Sequence, residues 1–313
     1  MGNASPFRID VHHHLSPPAY IAELDQHHIR LTRETRNWTP EQSLELMDKG
    51  GVQVALTSIT TPGLWFGDAA QSRQLARACN EYAAKLCQDH PGRFGTFVNL
   101  PLPDVEASLR EIEYGLDVLK AEGVVLFTSY GDKWLGDPLF DPVFEELNRR
   151  KAVVYTHPTS AACCANLFTN INDSLIEYGA DTTRALTQMI FTGRSAKYAD
   201  LRLIWSHGGG AMPFFIVRYL KTSRAPDLAR FMPSGFLHEA RRFYYDTAAV
   251  YNAGPMHALR QVVPVEQILF GTDVPWGNPA EIARDLRDCG VFSADELRSI
   301  DRDNALRIFP QYA

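Results

Sequence analysis

Eight short apolar runs recur along the chain, at 7–14, 52–60, 94–101, 123–129, 152–158, 201–207, 242–248 and 268–273. Most are continuously apolar rather than alternating, as expected of parallel strands buried on both faces. The segments between them read as helices. Thr39-Pro40-Glu41-Gln42 has the form of a capping box with proline at the first helical position, and Gly50-Gly51 closes that helix. Asp68 with Gln71 opens a helix over 69–90, and Ser293 with Glu296 caps another. Eight strands alternating with helices in 313 residues predict an α/β fold, a (β/α)8 TIM barrel. A doubly wound sheet is the alternative, but its first turn is usually glycine-rich, and here that turn is His12-His13-His14. No linker or low-complexity stretch divides the chain, so 1–313 is expected to form one domain. Residues 15–38 and 159–185 are expected to be insertions over the C-terminal mouth of the barrel.

Charge narrows the function classes. The 31 basic and 37 acidic residues leave a net charge of −6, with no basic block. Nucleic acid and anionic membrane surfaces are therefore poor partners. The five cysteines form no CxxC pair and suit a reducing compartment. No apolar run is long enough to span a membrane. The N-terminus lacks a signal-peptide shape, and Pro6 stands where a myristoylation motif needs Ser or Thr. A cytoplasmic location is expected.

Chemistry in a barrel sits at the C-terminal strand ends, and several of these ends carry metal-ligand residue types. On a strand, residues two apart share a side, so His12 and His14 are expected to face the interior while His13 points away. His157 ends the fifth strand and Asp273 the eighth. Three imidazoles and a carboxylate can share one divalent ion and leave a position open for substrate. His207, at the end of the sixth strand, fits a general base beside that ion, because imidazole exchanges protons near neutral pH. Taken singly, each histidine is as readily a packed core residue; the set of four at strand ends is what points to a site.

The motifs DVHHH, THP, SHGGGAMPF and GTDVPWG resemble the amidohydrolase superfamily, over nearly the whole chain from Ile9 to Phe309. Within it the chain resembles the aminocarboxymuconate semialdehyde decarboxylase branch. The segments TSYGDKWLGDP and YYDTAAVYN lean toward the 6-methylsalicylate-type decarboxylases. The resemblance implies one metal on His12, His14, His157 and Asp273, usually zinc and in some members manganese. It implies His207 as the catalytic histidine. The branch's substrate-clamping arginine lies eleven residues after that histidine, which is Arg218 here. In relatives it reaches the neighbouring subunit's site, so a homodimer is implied. A second arginine belongs before Trp38; Arg30, Arg33 and Arg36 compete for that place, with Arg33 the candidate. The fourth strand ends in Phe127-Thr128-Ser129, without the lysine that bridges two metals in many members, which argues for one ion.

The expected reaction is non-oxidative decarboxylation of a small aromatic or muconate-type carboxylic acid, such as a salicylate. The carbon bearing the carboxylate is protonated before CO2 leaves, with Asp273 or a water on the metal as proton donor. Trp65, Phe66, Phe191 and Trp276 are candidates to wall the ring. The rival with the same ligands is a hydrolase of a lactone or amide.

Overall fold

A computed structural model describes residues 7–165, 167–168 and 170–313. The sequence reading of Gly2 and Pro6 falls outside these residues. The predicted strands appear as β1 (Arg8–His14), β2 (Val52–Ser58), β3 (Phe94–Asn99), β4 (Gly123–Phe127), β5 (Val153–His157), β6 (Arg202–Trp205), β7 (Tyr244–Asp246) and β8 (Ile268–Leu269). They pair in chain order, all parallel. Beyond β8 the chain continues alongside β1 and closes the ring. The Val11 amide donates to the Phe270 carbonyl at 3.0 Å, and the His14 amide donates to Val274 at 2.8 Å. This is the expected (β/α)8 barrel.

Two apolar layers hold it. Val54, Leu56, Phe97, Val125, Ile204 and Leu269 fill the interior, with Ile308 and Phe309 packed against them. The other strand faces, such as Ala55, Leu126 and Trp205, pack against the helices through Met47, Leu75 and Phe144. The strands read as continuously apolar because both faces are covered.

β1 departs from simple alternation. Asp10 pairs with Ala55 and His13 with Thr57, so three steps on β1 match two on β2. The extra residue is a β-bulge, a device that re-aims side chains beside active sites. Ile9 and Val11 point inward. The bulge then resets the phase, so that His12 and His14 also point inward and His13 points out.

The capping residues stand at the expected helix starts, with only the forward half of the box formed at Thr39. Thr39 accepts from the Gln42 amide at the helix Pro40–Gly50, and Gly51 follows with φ 64°. Asp68 caps Ala69–Asp89, and the reciprocal box of Ser293 and Glu296 is complete. One expected loop is partly helix: Glu177–Phe191 forms a helix that takes over the end of the 159–185 insertion. Its N-cap is Ile176, which makes no side-chain cap, so its start has no sequence signature. No described helix is long and apolar enough to cross a membrane.

Candidate metal centre and active site

The bulge and the strand ends bring the predicted ligands together. One donor atom from each of His12, His14, His157 and Asp273 lies within 4.8 Å of all the others. The His12 and His14 Nε2 atoms are 3.1 Å apart. Asp273 Oδ1 lies 3.3 Å from the first and 3.2 Å from the second.

Each imidazole is oriented through its other nitrogen. His12 Nδ1 donates to Asp246 Oδ2 at 2.8 Å. His14 Nδ1 donates to the Ser58 carbonyl at 3.2 Å, and His157 Nδ1 to the Pro158 carbonyl at 2.8 Å. With the Nδ1 protons committed, three Nε2 lone pairs converge on one point beside a carboxylate. Such lone pairs repel at this spacing unless a cation stands between them. The donor set therefore fits a divalent ion, with partners on the far ring nitrogens of the kind that metal-bound histidines use.

Electrostatics agree with that fit. Burial disfavours the charged form of His12, yet the Asp246 and Asp273 carboxylates outweigh it and raise its pKa to about 10. His14 is lowered by burial, and His157 is held well below the usual imidazole range by burial and by the neighbouring histidines. Burial works against ionised Asp273, but His12 and the hydrogen bonds around it hold its carboxyl well below the usual range. Burial thus favours neutral His14 and His157, while the two carboxylates that raise His12 favour positive charge at this point, which a divalent ion would supply in place of a proton.

His207 Nε2 lies 3.7 Å from Asp273 Oδ2. Both residues have left-handed backbone, φ 51° for His207 and φ 60° for Asp273. Such conformations cost roughly 1–3 kcal/mol each outside glycine and persist where the surroundings enforce them. For His207 the enforcement is its amide, which donates to Asp246 Oδ1 at 2.8 Å. For Asp273 it is an amide donating to the His12 carbonyl at 2.8 Å.

Two acidic residues were missed in the sequence. Asp246 ends β7 and serves both His12 and His207. Its signal was a carboxylate at the end of an interior strand, in the segment Tyr244-Tyr245-Asp246. Asp10, fully buried on the outer face of β1, accepts from the His12 and Thr272 amides at 3.1 Å each and from Thr272 Oγ1 at 2.5 Å. It ties the bulge to the segment that carries Asp273. His13 completes this outer network, with Nδ1 on Asp10 and Nε2 on Ser43 Oγ.

The candidate substrate residues divide. Trp276 packs edge-on against His14 at 5.7 Å, and its Nε1 donates to Thr32 Oγ1 at 3.1 Å. That bond brings the Arg33–Arg36 helix to the mouth. Arg36 is committed to Asp25 through two hydrogen bonds, while Arg30 and Arg33 are exposed. Phe66 stacks on His27 at 4.5 Å, and Trp65 is 38% exposed. Phe191 is not brought to the cluster. It packs against Tyr219 and Phe236 and lines an outer cleft of about 500 Å³ with Trp134 and Phe215. Thirteen residues of helix, roughly 20 Å, separate it from Tyr178, which packs on His157. Arg218 is exposed on the helix Ile216–Thr222, and makes no ion pair among the described residues.

A family model described as amidohydrolase matches residues 9–311. The decarboxylase yanB of Aspergillus niger is 37% identical, covering 97% of this chain and 88% of its own. A 6-methylsalicylic acid decarboxylase of Penicillium expansum is 34% identical over 97% of this chain and 96% of its own. Solved structures share the fold. The 5-carboxyvanillate decarboxylase LigW of Sphingomonas paucimobilis superposes with a TM-score of 0.86 at 22% identity, covering 98% of this chain and 99% of its own. A dihydroxybenzoic acid decarboxylase of Polaromonas, with bound manganese and 2-nitroresorcinol, gives 0.85 at 19% identity, covering 98% of each chain.

Proposed function

Because this chain belongs to the amidohydrolase family, we propose that it is a metal-dependent, non-oxidative decarboxylase of a small aromatic carboxylic acid, salicylate-like in its adjacent oxygen. The observation that carries the reading is the convergence of three Nε2 atoms and Asp273, with His207 beside them. Relatives at 33–37% identity over 97% of the chain are named decarboxylases, which favours this reaction over the hydrolase alternative.

His12, His14, His157 and Asp273 would hold one divalent ion, zinc by the nitrogen-rich donor set, with manganese the alternative. When bound, that ion supplies Lewis-acid stabilisation of the substrate's carboxylate and hydroxyl oxygens. The chain's residues supply the rest. Trp276 walls the ring beside His14. His207 Nε2 and Asp273 Oδ2 hold and move the proton that adds to the carbon bearing the carboxylate. The carbon–carbon bond then breaks, CO2 leaves, and its electron pair restores the ring. Arg33 is the candidate clamp from the mouth insertion, since Arg36 is occupied by Asp25.

Arg218 is proposed to act across a homodimer. It stands beside Phe214, 67% exposed, and Val217, 76% exposed, an apolar surface suited to a second copy. A cytoplasmic location is proposed from five free cysteines.

The test is CO2 release from a panel of ortho-hydroxybenzoates and muconate semialdehydes, on protein of assayed metal content. Release that a chelator abolishes and one equivalent of metal restores is the expected result. No CO2 from metal-replete protein overturns the reading and moves the panel to lactones and amides.

A further inference from the structure

We infer that Tyr178 contacts the substrate and selects for a polar substituent on its ring, an inference that rests on the aromatic-acid reading above. Tyr178 lies in the first turn of the helix Glu177–Phe191, which the structure fixes firmly against the active-site strand ends. Gly210, in the turn after His207, packs against the Gly179 carbonyl so closely that no Cβ would fit. The Ala211 amide donates to Thr183 Oγ1 at 2.8 Å. On the other side, buried Asp181 accepts from Thr128 Oγ1, Ser129 Oγ and Trp134 Nε1, at 2.5 to 2.8 Å. The helix start is thus pinned between β4 and the His207 turn.

That placement lays the Tyr178 ring edge-on to His157, with centroids 6.3 Å apart. Besides His207, three other aromatic side chains touch the ligand histidines, and none offers a free polar tip at the mouth. Phe127 has none. Trp276 spends its N–H on Thr32. Tyr155, against His12, carries an unpartnered hydroxyl, but the whole residue is buried inside the barrel, away from the mouth. Tyr178 alone among these four carries a hydroxyl at the mouth, and its partner is Thr61 Oγ1 at 2.6 Å, in the loop after β2. A hydroxyl–hydroxyl pair is readily exchanged: a phenolic or carboxylate oxygen of a bound acid accepts a hydrogen bond from the Tyr178 O–H, and Thr61 turns to water. A site built to hydrogen-bond a substrate oxygen discriminates against the isostere lacking it, because its own polar group is then left unpaired.

The test uses the metal-loaded full chain, wild type against Tyr178→Phe and Thr61→Val, with two readouts. The first is Kd for hydroxybenzoates and their methyl-substituted isosteres, from quenching of Trp276 and the other tryptophans. The second is CO2 release. Wild type is expected to favour the hydroxyl-bearing acid, and Tyr178→Phe to weaken its binding about tenfold, the size of one hydrogen bond in a partly dry site. The same variant should leave the isostere unchanged. Thr61→Val, which frees the Tyr178 hydroxyl, should bind at least as well as wild type. Equal losses for both acids, or equal losses in both variants with a lowered Tm, would make the pair a structural latch and overturn the inference. If wild type binds and discriminates these acids but releases no CO2, the decarboxylase reading fails while the role of Tyr178 stands. If wild type binds none of them, both fail.

Discussion

Asp246 joins the candidate metal ligand His12 to the catalytic candidate His207, one carboxylate oxygen to each. Oδ2 accepts a hydrogen bond from His12 Nδ1 and Oδ1 accepts one from the His207 amide, both at 2.8 Å. The same side chain therefore fixes which nitrogen of His12 faces the candidate metal position and holds the strained backbone of His207. Asp246→Asn presents an N–H where His12 needs an acceptor, or turns over and loses the His207 amide. Metal affinity should fall about 10–100-fold, the usual scale for losing such a partner, with kcat falling as well. Calorimetric metal titration beside circular dichroism measures this. Wild-type affinity in a folded variant would remove Asp246 from the site's support.

Gly271 stands inside the barrel between His12 and Asp246. A Cβ there would lie 3.0 Å from the His12 Cβ and 2.9 Å from the Asp246 Cβ, closer than side chains tolerate. Gly271→Ala must push one of them away. Overpacking of this kind costs roughly 1–3 kcal/mol, and here the displaced group orients a ligand. Both Tm and metal affinity should drop. A variant that loses stability but binds metal as wild type does would show that the barrel wall, not the ligand, yields.

The barrel and the convergence of its three histidines and one aspartate were legible because strand ends have fixed places in this fold, and four ligand-type residues fell on them. The pairing of His12 with His14 was read from two-residue alternation. That rule held locally only because a bulge resets the phase after Val11; strict alternation would have put Ile9 and Val11 on the face opposite the ligands. Nothing in the letters Asp10-Val11-His12 announces a bulge, since it depends on the register against Ala55 and Thr57. Asp246 escaped notice because a supporting carboxylate makes no motif of its own. Phe191 was misplaced for a different reason. Its helix begins at an uncapped Ile176, so nothing in the sequence of 159–185 marks the helix start or shows how far the helix carries Phe191 from the mouth.

Away from the site, Glu146 bonds to both Arg149 and Arg150, and these bonds, against a smaller cost of burial, lower its pKa from 4.5 to about 2. A carboxylate with a depressed folded-state pKa contributes stability that is present above the unfolded value. That stability is lost as pH falls from about 4.5 toward about 2. The arginines are partly exposed, so solvent screening limits the contribution to ~1 kcal/mol. Glu146→Gln should lower Tm slightly at neutral pH and make the acid limb of stability shallower in that window. Parallel acid limbs for the two proteins would contradict it.

Arg218 supplies the sharpest test of a shared site. It is exposed and has no partner among the described side chains, on a helix that also exposes Val217 and follows exposed Phe214 and Phe215. If it completes a second subunit's site, Arg218→Ala should raise KM strongly, since an arginine holds a carboxylate through paired hydrogen bonds. Asp273→Asn should abolish activity in its own chain while leaving the fold intact. Mixing the two variants then forms one complete site per heterodimer, with Asp273 from one chain and Arg218 from the other. Random pairing predicts recovery of about a quarter of wild-type activity from two nearly inactive proteins. Recovery that follows subunit exchange places Arg218 across the interface. No recovery, from proteins shown by mass measurement to have exchanged subunits, confines each site to a single chain.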